Sequence, residues 1–408
     1  MKKKRIALVG NVNNNLFALM RHLRDLGYDA HLFHRPENDH FQPKADTYSL
    51  DVLNYCHSVT WLNKGFHRVD IEEVKRQLTG FDFYIGQSDE AAVAYKAGFT
   101  LDVYYPYGSD VYKYAQFAEE YTLKNKMGAL LKRNRRTLLK HMKEGTVAKY
   151  LRGAIIHSKY ILEESRSGGY DEKMQAIPYK GKYQNVALPF IYYKEYEELM
   201  HGQHADVHWR TEIDRLRKEN DFIVLYHGRQ EWKTVHNAFT GKNTHHIILG
   251  FAQYMKRHPN ARALLCMLEY GSDTVPSKKL IEELGIEKHV QWFPKMYRKD
   301  IMYLIHNVDI CSGEFKLGDL VFGTVVEAMQ MKKIVIHNRA TELYTDKYAD
   351  LYPMLQAIEP EEVETAIEFA VNNPAKIKEM GEQANAWIKR YLVQEPLQHL
   401  VNIIEAKN

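Results

Sequence analysis

Asp319 and Glu327 stand eight positions apart in the run Gly318-Asp319-Leu320-Val321-Phe322-Gly323-Thr324-Val325-Val326-Glu327-Ala328-Met329. A glycine-bearing loop here enters an apolar helix, and Lys333-Ile334-Val335-Ile336 follows, its apolar residues reading as a strand. Backbone N–H groups at a helix start have no partner inside the helix. The Gly323-Thr324 end therefore favours a negative ligand such as a phosphate. Glu327, one turn inside the helix, can accept hydrogen bonds from a ribose diol, and Asp319, on the loop, can reach sugar hydroxyls. That layout suits a nucleotide sugar. Glu314, in Gly313-Glu314-Phe315-Lys316-Leu317-Gly318, is a second candidate for the loop acid, although the spacing favours Asp319.

Opposite charge comes from Tyr226-His227-Gly228-Arg229 and from Lys242-Asn243. A guanidinium such as Arg229 suits bidentate phosphate contact, and an ammonium such as Lys242 acts as a point charge. Together they can neutralise a pyrophosphate leaving group. Lys233 is a second candidate for the lysine, because the stretch between Arg229 and Lys242 is long.

Alternating strands and helices must position these groups. In the first half, apolar runs predict strands at 6–9, 29–33, 81–86 and 101–105, with short strands at 154–157 and 174–177. Helical spacing predicts helices at 16–26, 69–78 and 91–97, the first stopping at Gly27 and the last at Gly98. A polar stretch at 201–220 interrupts the pattern, which then restarts. Strands follow at 222–226, 263–267, 290–293, 308–311 and 334–337, and helices at 245–258, 277–284, 298–306, 360–372 and 374–391. Such a βα rhythm implies parallel sheets wound with helices, which bind ligands at the carboxyl ends of their strands.

The chain has 408 residues, more than one ordinary core, so two domains of about 200 residues are expected. Its composition, 45% hydrophobic and 26% charged, is that of a globular protein, and a net charge of +4 argues for no nucleic-acid partner. Three cysteines, Cys56, Cys266 and Cys311, form no disulfide or metal pattern, which points to a reducing cytoplasm. No run approaches the ~18 apolar residues of a membrane span. Neither His204/His208 nor His245/His246 forms a convincing metal set.

Over roughly 222–342 the chain resembles the retaining GT-B glycosyltransferases, family 4-like. The resemblance is carried by Gly228-Arg229 after the first strand of the second half, by Lys242 ahead of the next helix, and by Asp319…Glu327-Ala328-Met329. It implies two Rossmann-like, doubly wound α/β domains facing across a cleft, with a C-terminal helix returning toward the first. The expected boundaries are 1–195 for an acceptor domain, 196–220 for a polar linker, 221–385 for a donor domain and 386–408 for the returning helix. By the same resemblance, Gly228, Arg229, Lys242, Gly323 and Thr324 hold the donor diphosphate, Glu327 binds the ribose, and Asp319 or Glu314 contacts the sugar. The family usually places Glu where this chain has Asp319, whose reach is shorter. The implied reaction is retaining transfer to a glycan or lipid-linked hydroxyl, without metal or cofactor, in bacterial cell-surface polysaccharide synthesis. A UDP-sugar 2-epimerase of the same fold and a non-catalytic nucleotide-sugar-binding protein are the alternatives.

The first half carries fewer signals. Gly10, Asn11 and Asn13 lie on the loop after the first strand, where the resemblance implies a glycine-containing loop facing the cleft against donor or acceptor; it is not a GxGxxG, and a polar turn is the alternative. Tyr107, Gly108, Ser109 and Asp110 follow a buried-looking strand where relatives often carry Gly-Ser-Asp, as an acceptor or sugar contact. A helix-capping turn is the alternative for them. His34, His40 and Asp46, on the loop after the second strand, read as solvated loop residues, with a part in shaping the acceptor pocket as the alternative. From Lys124 to Arg152 there are six Lys and four Arg against one acid, Glu144, with leucines interleaved. That basic amphipathic segment suits an anionic membrane surface, at about 1 kcal/mol per cation, and allows a cytoplasmic protein to sit peripherally on the inner face of the membrane.

Overall fold

The structure, a computed structural model, describes residues 3–36, 39–108, 110, 135–163, 177–189, 191–201, 207–234, 241–320 and 322–406. It divides into two compact units. The first comprises 1–44, 49–192 and 393–408, and the second 45–48 and 193–392.

Unit one is built on a parallel sheet ordered β3-β2-β1-β4-β5-β6-β7. Its strands are β1 (Arg5–Val9), β2 (Asp29–His34), β3 (Cys56–Ser58), β4 (Phe83–Gly86), β5 (Val103–Tyr104), β6 (Tyr160–Leu162) and β7 (Lys182–Gln184). Helices α1 (Asn15–Asp25), α2 (Ile71–Leu78), α3 (Ser88–Lys96) and α4 (Arg135–His157) connect them. Successive residues of β1 point to opposite faces, so Ile6 and Leu8 enter one core while Ala7 and Val9 enter another. A sheet covered on both faces needs unbroken apolar strands, and that is why the run 6–9 reads as it does.

Unit two holds a second parallel sheet, ordered β10-β9-β8-β11-β12-β13. Its elements are α5 (Tyr193–Met200), α6 (Arg210–Glu219), β8 (Phe222–Tyr226), α7 (His245–Arg257), β9 (Ala263–Leu268), α8 (Thr274–Leu284), β10 (Val290–Phe293), α9 (Arg298–Asn307), β11 (Ile310–Ser312), α10 (Gly323–Gln330), β12 (Ile334–His337), β13 (Leu355–Gln356), α11 (Pro360–Asn372) and α12 (Pro374–Ile388). A π-helical turn, Lys389–Gln394, then leads into α13 (Glu395–Glu405). Pro396 has no N–H to return to the preceding turn, which accounts for the altered winding. Leu400 and Ile404 of α13 pack into the unit-one core with Ile6 and Leu8.

One reading of the sequence is corrected. Residues 154–157 end helix α4 and form no strand. A short apolar run is ambiguous alone, and Ala148, Leu151 and Ile155 carry a buried helical stripe through it. Within the polar stretch 201–220, α6 occupies the second half and buries Ile213 and Leu216. Of the expected strand at 174–177, only Ile177 lies within the described residues. Among the described residues no helix is long and apolar enough to cross a membrane.

Candidate active site at the strand exits of unit two

Strand order reverses between β8 and β11, since β9 and β10 lie to one side of β8 and β11 to the other. Loops leaving two such strands diverge, and a crevice opens at their carboxyl ends. The charged residues singled out from the sequence leave the sheet here. Directly after β8 come His227, Gly228 and Arg229, and directly after β11 come Gly313 and Glu314.

Close packing dictates the glycines. A Cβ on Gly228 would lie 2.7 Å from Tyr226 Oη, which donates to the Arg229 carbonyl at 2.9 Å. At Gly318 the backbone is left-handed, with φ +74, and its carbonyl accepts from Ala340 N at 2.9 Å. That hydrogen bond anchors the loop that carries Asp319.

Lys242 is held from both sides. Its N–H donates to the Glu231 carbonyl at 2.7 Å, and its carbonyl accepts from Phe315 N at 3.1 Å. It is thereby tied to both strand exits despite its distance in sequence from Arg229. Its ammonium pairs with the buried Glu314 carboxylate and lies 5.6 Å from the Phe322 ring centroid. Burial and the neighbouring Arg229 cation pull the Lys242 ammonium down to about 8, against Glu231 and Asp319, which favour its charge. Arg229 is more exposed and pairs with Glu231 at 3.2 Å. Lys233 has an exposed side chain and spends its N–H on Asp273 Oδ2 at 2.7 Å.

Asp273 was not anticipated. Its Oδ2 accepts from the backbone of Trp232, Lys233 and Thr234 at 2.7, 2.7 and 2.9 Å. Burial opposes its charge, and hydrogen bonds, led by those of Thr234, hold its carboxyl below the usual range. This carboxylate shapes the 232–234 turn.

Helix α10 begins at Gly323, and its N-cap residue, Phe322, makes no side-chain capping hydrogen bond. Thr324 Oγ1 is buried without a hydrogen-bond partner among the described residues, and Asp319 stands half-buried on the loop before it. One turn in, Glu327 is buried between two donors. Its Oε2 lies 2.9 Å from His227 Nε2, and its Oε1 accepts from Arg298 Nε at 2.8 Å. Arg298 also donates through Nη1 to Asp46 Oδ2 at 2.6 Å. Burial works against the Glu327 charge, but the His227 hydrogen bond and the Arg298 cation outweigh it and lower its carboxyl. Burial likewise opposes the Arg298 charge, and Asp46 and Glu327 overcome it.

His227 and Arg298 escaped the sequence reading. Each leaves a signal, a polar residue immediately after a buried strand and a cation at a helix start beyond one. Asp46 leaves none, and it is no solvated loop residue, being buried in unit two. His34 is buried as well.

In unit one the β1 and β4 exits form the corresponding switch point. Gly10 has φ +96, and a Cβ there would lie 2.1 Å from the Gln87 carbonyl oxygen. Asn11 accepts from Phe17 N at 3.1 Å and donates to Asn14 at 2.7 Å, and Asn13 adopts a left-handed φ of 53. Asp110 is fully buried. It accepts from Tyr104 Oη at 2.7 Å and from Gly108 N at 2.9 Å, with Tyr107 N at 3.2 Å, and so closes its own turn. Ser109 lies outside the described residues, as do His204 and 124–134 of the basic segment. Within that segment's described part, Ala148 and Leu151 face the core.

Residues 214–387 match the sequence profile of the family Glycosyl transferases group 1. No curated protein matches the chain by sequence at a significant level. Anabaena HepE in complex with UDP and glucose is similar in structure, with a TM-score of 0.60 at 14% identity, covering 99% of this chain and 100% of that one. Thermosynechococcus elongatus sucrose-phosphate synthase gives 0.56 at 12%, covering 98% of each chain. A Listeria monocytogenes protein provisionally named a UDP-N-acetylglucosamine 2-epimerase gives 0.54 at 12%, covering 100% of this chain and 98% of that one. At these identities the likeness establishes the fold. The chain thus has a GT-B fold, and its residues 214–387, less than half of its length, resemble the glycosyl transferases group 1 family.

Proposed function

We propose that this chain transfers a sugar, with retention, from a nucleoside diphosphate sugar to a hydroxyl of a glycan or lipid-linked acceptor, in the building of a bacterial surface polysaccharide. The observation that carries this reading is the half-buried Lys242. Arg229 and a helix start at Gly323-Thr324 stand at the same β8/β11 exits. In a crevice of low dielectric, such groups stabilise charge that develops on a leaving diphosphate. HepE was solved with UDP and glucose, which supports a uridine diphosphate sugar as donor.

In this reading the C1–O bond to the diphosphate breaks while the acceptor oxygen bonds C1 from the same face. The departing phosphate takes the acceptor proton. Lys242, Arg229 and the N–H groups of α10 balance the negative charge, Glu327 holds the ribose, and Asp319 holds sugar hydroxyls. Glu314 serves Lys242 as counter-ion. No metal or cofactor is invoked.

A thermal-shift screen of UDP-, GDP-, ADP- and CMP-sugars tests the donor, since a ligand at 100 times its dissociation constant stabilises by about 2.7 kcal/mol. No shift with any of them sinks the proposal. Free nucleoside diphosphate that appears only with acceptor marks a transferase; conversion of the donor sugar without acceptor marks the 2-epimerase. The basic segment at 124–152 supports docking on anionic lipid, to be read by co-sedimentation with vesicles with and without phosphatidylserine.

A further inference from the structure

Residues 45–48 belong to unit two, although the chain on either side of them belongs to unit one. They form a short strap, heavily bonded for its length. Asp46 pairs with Arg298 at 2.6 Å, and its carbonyl accepts from Tyr196 Oη at 3.2 Å. Thr47 Oγ1 and Tyr48 N donate to the two oxygens of buried Glu195 at 2.9 and 2.6 Å. Tyr48 Oη donates to the Lys299 carbonyl at 3.0 Å.

These interactions are of two kinds. Those of Thr47 and Tyr48 fasten the strap. That of Asp46 continues into the site, because the guanidinium it holds is the one that holds Glu327 Oε1. Arg298 and Asp46 keep only 12% and 8% of their side-chain surface exposed, so little solvent screens the pair. A guanidinium donates in one plane. Engaging Nη1 on Asp46 therefore fixes where Nε points and how the Glu327 carboxylate turns. His227 restrains the other oxygen.

We propose that Asp46 is a positioning residue for the donor site, acting through Arg298 to hold the Glu327 carboxylate in its nucleotide-binding orientation. The proposal rests on the reading of Glu327 as a donor-binding group. A group held by a fixed partner gives up less freedom when it binds. Removal of that partner therefore weakens binding even though every group that touches the nucleotide is still in place.

Isothermal titration of the full chain with UDP, GDP and ADP tests this, comparing wild type with Asp46→Asn, Glu327→Gln, the double variant and Thr47→Val. For the nucleotide that wild type binds, Asp46→Asn should raise Kd about 10-fold. In the Glu327→Gln background the same change should do nothing, because the group it positions is gone. Thr47→Val loosens the strap without touching Arg298 and should stay within about 2-fold of wild type. An equal loss from Asp46→Asn in both backgrounds, or a matching loss from Thr47→Val, reduces Asp46 to a structural role and overturns the proposal. Should Asp46→Asn not fold, Arg298→Lys takes its place, keeping the charge but losing the two-pronged geometry, with the same 10-fold loss expected only when Glu327 is present. If Glu327→Gln itself leaves Kd unchanged, the donor reading of Glu327 fails first. If it weakens binding while neither Asp46→Asn nor Arg298→Lys does, only the positioning role fails.

Discussion

The exits of β1 and β4 and the exits of β8 and β11 are the same topological place in two copies of one architecture. Their chemistry differs. Around the first stand mostly amides, Asn11, Asn13, Asn14 and Gln87, with Arg35 paired to Glu90 and Asp89. Around the second stand Arg229, Lys242, Glu314, His227, Glu327 and Arg298, in paired and largely buried interactions. Winding order opens a crevice in both units and leaves its ligand unspecified. A desolvated cation calls for an anionic partner, whereas amides suit a neutral one. Burying so many charges is destabilising on its own, and their retention makes sense for a function that needs them.

The largest break in this contrast comes from Lys242→Ala. Diphosphate affinity should fall about 100-fold, near 2.7 kcal/mol, while Lys233→Ala stays within about 3-fold. Equal effects in titration calorimetry would move the cation site to Lys233. Gly10→Ala strikes the other switch point. Its positive φ and the 2.1 Å approach to the Gln87 carbonyl predict a loss of about 2 kcal/mol in urea unfolding, with diphosphate affinity unchanged. A loss of affinity there would mean that the first switch point also serves the donor.

A pH titration sharpens the comparison. Lys242 loses its proton near 8 when no diphosphate is bound, and a bound diphosphate favours the protonated form. Below that pH the lysine is already charged and Kd should be flat; above it binding must take up a proton, and Kd should rise by up to about tenfold per pH unit. Lys242→Arg, charged throughout, should abolish the slope. A slope that persists in that variant assigns the titration elsewhere. Smallest is Asp110→Asn, expected to cost about 1 kcal/mol by weakening the turn at Tyr107 and Gly108, with diphosphate Kd untouched. A marked rise in Kd would make Asp110 more than the turn's anchor.

Much of this was legible in local sequence. The strands at 6–9 and 222–226, the helices ending at Gly27 and Gly285, and the spacing from Asp319 to Glu327 are patterns among neighbours in the chain. Lys242 was legible too, although what ties it to Glu231 and Phe315 was not. The failures share a cause. Residues 154–157 are equally apolar as strand or helix, and only packing beside Leu151 decides. Buried Asp46, in a polar loop, looks like any solvated acid.

Local pattern by itself determined the alternating elements, the two parallel sheets they imply, and which acids and cations leave strand ends. Backbone hydrogen bonding and burial period act over a few residues, so each stretch of chain carries their signal. Tertiary structure alone decided that Lys242 meets Glu314, that His227 faces Glu327, and that Asp46 pairs with Arg298 across 252 positions. Such pairs depend on the path of the folded backbone and on the exclusion of water around them, and neither is written in the residues next to them.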